Sequence, residues 1–221
     1  MRRRSLRYSL IVFDWDGTLI DSTGAIAECI QQAARDMGLD VPDRERARYV
    51  IGLGLHDSLR HAVPGLPSER IMEFVERYRR EFVAREDHMR LFPGMLELLE
   101  ALRARGHALA VATGKSRRGL ERSLDACGLR PYFAASRCAD ETEPKPHPAM
   151  LHELLQELAS APAEALMVGD TSHDVRMAAA AGVDCVAVCY GAHPEVDLRA
   201  LQPRACLSSV PDLRQWLLHH G

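Results

Sequence analysis

Lysine is almost absent from this chain. Of its 28 basic residues only Lys115 and Lys145 are lysines, so any chemistry that needs an amine is confined to two positions. Long apolar runs are absent as well. No stretch approaches the ~18 apolar residues of a membrane span. The run Leu10–Phe13 that follows Met1-Arg2-Arg3-Arg4 stops at Asp14, too early for the apolar region of a signal peptide. An excess of positive charge is also lacking: 28 basic against 31 acidic residues leave a net charge of −3. A general nucleic-acid binder, whose phosphate contacts need a basic surface, is thereby disfavoured, and neither nucleic acid nor membrane is expected as a partner. The six cysteines form no C-x-x-C pair, which removes the common zinc and redox motifs. Free thiols without a signal segment predict a cytoplasmic protein. What is present is ordinary: 221 residues, 47% apolar and 27% charged. That length suits one large domain or a core carrying a smaller insert, and such a chain buries ~70% of its unfolded surface without a covalent staple.

Four short apolar runs punctuate the sequence, at 10–13, 108–112, 165–168 and 184–189. None alternates, which suits strands buried on both faces of a parallel sheet. Helical patterns separate them. Met95–Arg105 carries an apolar stripe and stops at Gly106, Ser116 can cap a helix reaching Cys127, Pro148 opens another, and Ser172 can cap Asp174–Ala181. The alternation predicts an α/β fold with a Rossmann-like parallel sheet. Between Thr23 and about Met89 the pattern changes to helices alone: 24–37, 43–50, 56–63 and 68 to about 88. The expected organisation is therefore a catalytic core of residues 1–20 and 91–221, interrupted by an all-helical cap over residues 21–90.

In an open parallel sheet, ligands bind beyond the carboxyl ends of the strands. Three of the runs end there in polar residues. The first enters Asp14-Trp15-Asp16-Gly17-Thr18, the second Thr113-Gly114-Lys115-Ser116, and the third Gly169-Asp170-Thr171-Ser172-His173-Asp174. Asp14 and Asp16, two apart in an extended segment, project to the same side. Two carboxylates so close repel unless a cation or a shared proton relieves them. With Asp170, a hard ion such as Mg²⁺ is the fitting relief. Thr113 and Gly114 can donate to phosphate oxygens, and Lys145 can neutralise charge. Positioning, an ion, a cation and donors are what phosphoryl transfer requires.

Other signals carry less. Gly114-Lys115-Ser116 imitates the end of a P-loop, but Leu109 stands where the first glycine belongs. Gly52-Leu53-Gly54 lacks a third glycine and reads as a loop. Asp21, Asp40 and Asp43 read as caps and turns, and His219 and His220 as exposed. An isolated D-x-D after a strand is a turn or cap pair in most proteins; the ordered set D-x-D-G-T, T-G, K-P and G-D-x-x-x-D is not.

That ordered set resembles the haloacid dehalogenase superfamily of phosphohydrolases, particularly its phosphoglycolate phosphatase-like branch with a helical cap. The resemblance spans nearly the whole chain, through Phe13-Asp14-Trp15-Asp16-Gly17-Thr18-Leu19, Ala112-Thr113-Gly114, Lys145-Pro146 and Gly169-Asp170-Thr171 to Asp174. It implies that Asp14 is a nucleophile forming a phosphoaspartate, and that Asp16 protonates the leaving oxygen and then activates water. It further implies Mg²⁺ held by Asp14, Asp170 and the Asp16 carbonyl, a phosphoryl group held by Thr113, Gly114 and Lys145, and Asp174 as a supporting acid. Asp16 makes a dehalogenase improbable, because a halide leaving group needs no proton. The expected activity is a Mg²⁺-dependent phosphomonoesterase acting on a small phosphorylated metabolite. A sugar phosphomutase and a non-enzymatic phosphate-binding module are the alternatives. Both lysines lie outside the insert, which weighs against the mutase and against Schiff-base cleavage of P–C bonds. The candidate specificity loop is 48–57, where Gly52 and Gly54 permit a close approach and Arg48 and His56 offer polar contacts.

Overall fold

The structure is a computed structural model describing residues 6–86 and 89–221, without the side chains of Leu55, His56 and Asp57. Six parallel strands form one sheet: β1 (Leu10–Phe13), β2 (Ala108–Thr113), β3 (Ala135–Cys138), β4 (Ala165–Gly169), β5 (Asp184–Val188) and β6 (Ala205–Leu207). Their order is β3-β2-β1-β4-β5-β6, a doubly wound arrangement. Leu10 of β1 registers with Ala108 on one side and Ala165 on the other, so β2 and β4 flank it in step. The chain runs outward from β1 in both directions, and the crevice where the order reverses lies at the carboxyl ends of β1 and its neighbours.

Alternation along the strands divides the core. Ile11, Phe13, Leu109, Val111, Leu166 and Val168 face one layer, packed by α5 (Met95–Arg105), α6 (Arg117–Cys127) and α10 (Val210–His220). Leu10, Val12, Ala110, Ala112 and Met167 face the other, packed by α7 (Ala149–Glu157), α8 (Ser172–Ala180) and α9 (Glu195–Ala200). Both faces are covered, which explains why these strands read as continuous apolar runs.

Two strands escape the sequence reading. β3 is Ala-Ser-Arg-Cys, an edge strand whose Arg137 pairs with Glu153 and Glu157 of α7, so it carries no apolar run. β6 has only three residues, all half-buried at the opposite edge. One cap also moves. Thr171, not Ser172, caps α8, its hydroxyl accepting from the Asp174 N–H while the Asp174 carboxylate accepts from the Thr171 N–H. Ser116 and Asp43 cap their helices as expected.

Within residues 23–86 the described elements are all helical: α1 (Thr23–Asp36), α2 (Arg44–Tyr49), α3 (Leu55–Ala62), a 3-10 turn at Ser68–Arg70 and α4 (Ile71–Glu86). The expected end of the last helix, near His88, lies outside the described residues. The chain leaves and re-enters the sheet through two paired segments. Ile20 and Leu91 form an antiparallel bridge, the Asp21 N–H donates to the Arg90 carbonyl, and the Phe92 N–H donates to the Leu19 carbonyl. No helix among the described residues is long and apolar enough to cross a membrane.

Candidate active site

The Asp14 N–H donates to the Val168 carbonyl at 2.9 Å, continuing the β1–β4 ladder by one residue, so the residue after β1 is held as firmly as the strand. Alternation then turns Trp15 inward, where its indole N–H donates to Ser123 of α6 and its ring meets Phe133 edge-on. Asp14 and Asp16 consequently share the other side and line one cavity together with Thr113, Gly114 and Lys115. Gly17 adopts a left-handed φ of +87°, and any Cβ there would collide with the Asp170 carboxylate.

Four charged groups form the buried centre. Lys145, with a fully buried side chain, donates at 2.6 Å to Asp14 Oδ1 and at 2.6 Å to Asp174 Oδ1. The other Asp174 oxygen accepts from the Thr171 N–H at 3.0 Å and hydroxyl at 2.6 Å. Asp170 accepts from the Thr18 hydroxyl at 2.9 Å and the Ala192 N–H at 2.6 Å. Oxygens of Asp14, Asp170 and Asp174 lie within 4.8 Å of one another. With all four groups ionised, three carboxylates face a single ammonium.

The proton affinities register that imbalance. Burial, and then the charges of Asp174 and Asp16 against the opposing Lys145, push the Asp14 carboxyl up to about 7. Burial, and then the charges of Asp14 and Asp174, hold Asp170 well above its ordinary value. Asp174 goes the other way: burial opposes its ionisation, but Lys145 and Thr171 outweigh it and hold it low. Asp14 Oδ2 is buried without any hydrogen-bond partner. A buried, unpaired carboxylate oxygen is costly unless an electrophile meets it. An all-oxygen donor set with surplus negative charge suits a hard dication, which would make the centre neutral.

Asp16 is held separately. Its Oδ1 accepts from the Ser22 hydroxyl at 2.7 Å and faces Lys115 Nζ at 3.1 Å. Lys115 in turn lies 4.5 Å over the Phe82 ring of α4, a cation–π contact joining the helical segment to the Asp16 pair. Sequence reasoning gave Lys115 no role in the site, placing it only in a segment that imitates the end of a P-loop and outside the helical insert. Its rarity and its position just past Thr113-Gly114 were signals, but its reach to Asp16 depends on the β1–β2 pairing. Thr18 and Thr171 stood in the quoted motifs without a role assigned to them, and Ser22 and Phe82 carried no signal.

The segment 48–57, expected as a loop, is the end of α2, a connection at 50–54 and the start of α3, and it closes against the core. Arg48 donates to the Gly191 carbonyl, the Tyr49 carbonyl is bonded by the rings of His173 and His193, and Gly52 packs on Thr171. The side chain of His56 lies outside the described residues. Arg48 is therefore engaged with the core backbone, and the loop meets the site through its glycine-bordered backbone.

The haloacid dehalogenase-like hydrolase family matches residues 11–188. The "Probable phosphatase IndB" of Dickeya dadantii is 35% identical over 210 residues, covering 92% of this chain and 91% of that protein. A 5'-nucleotidase of Pseudomonas aeruginosa is 36% identical over 222 residues, covering 100% of each. Among solved structures, a predicted phosphoglycolate phosphatase from Haemophilus somnus 129pt superposes with a TM-score of 0.85 at 27% identity, covering 96% of this chain and 99% of the other. Sequence match and superposition agree, and this chain belongs to the haloacid dehalogenase-like hydrolase family.

Proposed function

We propose that this protein is a Mg²⁺-dependent phosphomonoesterase that hydrolyses a small phosphorylated metabolite in the cytoplasm through a phosphoaspartate on Asp14. The observation that carries the reading is the Asp14 carboxylate: one oxygen bound by Lys145, the other buried and unpartnered at the cavity wall. An oxygen of Asp14 attacks phosphorus as the bond to the leaving alcohol breaks, and Asp16 gives that alkoxide its proton. Water, losing its proton to Asp16, then cleaves the phosphoaspartate, releasing inorganic phosphate and restoring Asp14. Thr113 and Gly114 donate to the phosphoryl oxygens, while Lys145 balances charge from below and Asp174 keeps Lys145 in place. Mg²⁺ would be held by Asp14, Asp170 and the Asp16 carbonyl, and when bound it offsets the negative charge of the phosphoryl group. Residues 21–90 act as the cap over a core of residues 1–20 and 91–221. They contain no lysine to grip a reoriented intermediate, which leaves water as the acceptor and disfavours a sugar phosphomutase.

The decisive experiment is single-turnover hydrolysis of a radiolabelled phosphomonoester with an acid quench. Wild-type protein is expected to carry covalent label and release phosphate, both dependent on Mg²⁺ and lost in EDTA. Asp14→Asn is expected to stay folded and do neither. Substantial turnover by Asp14→Asn would sink the covalent mechanism.

A further inference from the structure

The cavity above Asp14 and Asp16 has a volume of about 810 Å³, in the upper part of the ~300–1,000 Å³ range of small-molecule sites. A phosphoryl group bearing a two-carbon acid would leave most of it empty. Its walls divide by chemistry. From the helical segment come Ile26, Ile30, Leu59, Val75 and Phe82. At the mouth, Met72 is 60% and Val83 50% exposed, on the same cavity-facing side of α4. The same cavity is also lined by Arg79 and Arg80 on α4 and by Arg118 and Arg122 on α6. Arg122 pairs with Glu86. Among the described residues, Arg79, Arg80 and Arg118 have no ion-pair partner. Tyr78 of α4 lines the wall as well, and three other polar side chains near it already hold partners. The Ser58 hydroxyl donates to the Val50 carbonyl, Ser116 accepts from the Gly119 N–H, and Asp140 accepts from the Arg117 N–H.

We propose that the preferred substrate is a phosphomonoester whose alcohol half carries a bulky apolar body ending in a second anionic group. The inference rests on the phosphatase reading above. The phosphoryl group sits against Asp14, the body lies along the α1, α3 and α4 surface, and the far anion meets the unpaired arginines at the mouth. A ring with donors and acceptors on several edges, such as a nucleobase, is a poorer fit, because the apolar wall offers them little beyond the Tyr78 hydroxyl. Guanidinium groups suit a terminal carboxylate or phosphate, since they recognise planar oxyanions through two parallel bonds.

The test measures kcat/KM for phosphate release from four esters: phosphoglycolate, biphenyl phosphate, biphenyl phosphate bearing a 4'-carboxylate, and a nucleoside 5'-monophosphate. The carboxylated biphenyl ester is expected to rank first, at least tenfold above both phosphoglycolate and the nucleotide and several-fold above its uncarboxylated parent. In the double variant Arg79→Gln/Arg118→Gln, the advantage of the carboxylated over the uncarboxylated ester is expected to fall at least fivefold. Phosphate release with phosphoglycolate or the nucleotide ranked first overturns the substrate class and leaves the phosphatase reading standing. An unchanged carboxylate preference in the double variant overturns the arginine assignment. Failure to release phosphate from any of the four overturns the phosphatase reading and this inference with it.

Discussion

At the scale of single residues, the site separates two carboxylates that are only two positions apart. Asp14 is buried and bound to Lys145 and lies close to Asp170 and Asp174, whereas Asp16 is held by Ser22 and Lys115 at the cavity edge. Groups with one chemistry thus receive two environments, as the two roles proposed for them require. Lys115 is the residue whose role came only with the structure. Its ammonium sets where the Asp16 carboxylate stands, and Phe82 keeps the ammonium there. Lys115→Met should therefore lower kcat by roughly tenfold or more, since correctly placed acid–base catalysis is worth about 10²–10⁴-fold. KM should change little, and Lys115→Arg, which keeps both charge and ring contact, should recover part of the loss. Steady-state kinetics of the two variants check this; a loss confined to KM would make Lys115 a substrate anchor instead.

Among the elements, the tip of β2 and the loop at 50–54 between α2 and α3 meet at backbone distance. A Cβ on Gly114 would lie 2.6 Å from the Leu53 carbonyl and 2.7 Å from the Gly52 carbonyl. Gly114 has no positive φ, so alanine is acceptable to its own backbone, and the whole penalty falls on the contact between loop and sheet. Gly114→Ala should push the loop off the site, lowering kcat/KM while leaving the sheet and its Tm largely intact. Kinetics beside thermal melts distinguish this from general destabilisation, which would lower Tm in parallel. The α8 terminus couples stability to function in another way. The reciprocal bonds between Thr171 and Asp174 cap the helix and orient the carboxylate that holds Lys145. A cap is worth about 0.5–2 kcal/mol, so Thr171→Val should reduce both stability and turnover.

The whole molecule links proton and metal binding to folding. His107 is buried at the start of β2, one ring nitrogen bonded to the Tyr8 carbonyl and the other without a partner. Burial, assisted by nearby Arg105, pulls its pKa below the ordinary imidazole value. An unfolded chain therefore takes up this proton before the folded one does. Stability contributed by the neutral ring is complete above about pH 6.5 and is lost as pH falls below it. Between pH 7 and 5 this ring, with His173 and His193 that burial also holds low, pulls Tm down while Asp14 and Asp170, held high, push it up. His107→Gln should therefore raise Tm at pH 5 relative to pH 7 compared with wild type, as melts of both proteins check. At neutral pH, Mg²⁺ should raise the Tm of the wild type, since a ligand that binds only the folded state stabilises it by mass action. Asp170→Ala should abolish that rise, as thermal titration with MgCl₂ would reveal. An equal rise in the variant would place the ion elsewhere.

Much of this was legible from residue order. Continuous apolar runs announce strands covered on both faces, glycines and serines mark helix ends, and three polar clusters at strand ends point to one edge of a sheet. These are local properties, written in side-chain size, branching and spacing. The edge strands β3 and β6 were not legible, because an edge buried on fewer sides needs no apolar run and Ala-Ser-Arg-Cys has none. Nor was the Lys115–Asp16–Ser22 arrangement, because Lys115 reaches the Asp16–Ser22 segment only after β1 and β2 pair. The order of β1 between β2 and β4, the orphaned oxygen of Asp14 and the arginine-rimmed apolar cavity likewise arise from long-range packing. Sequence spacing can say which side a residue faces. Which residue stands opposite is decided only when the sheet closes the distance.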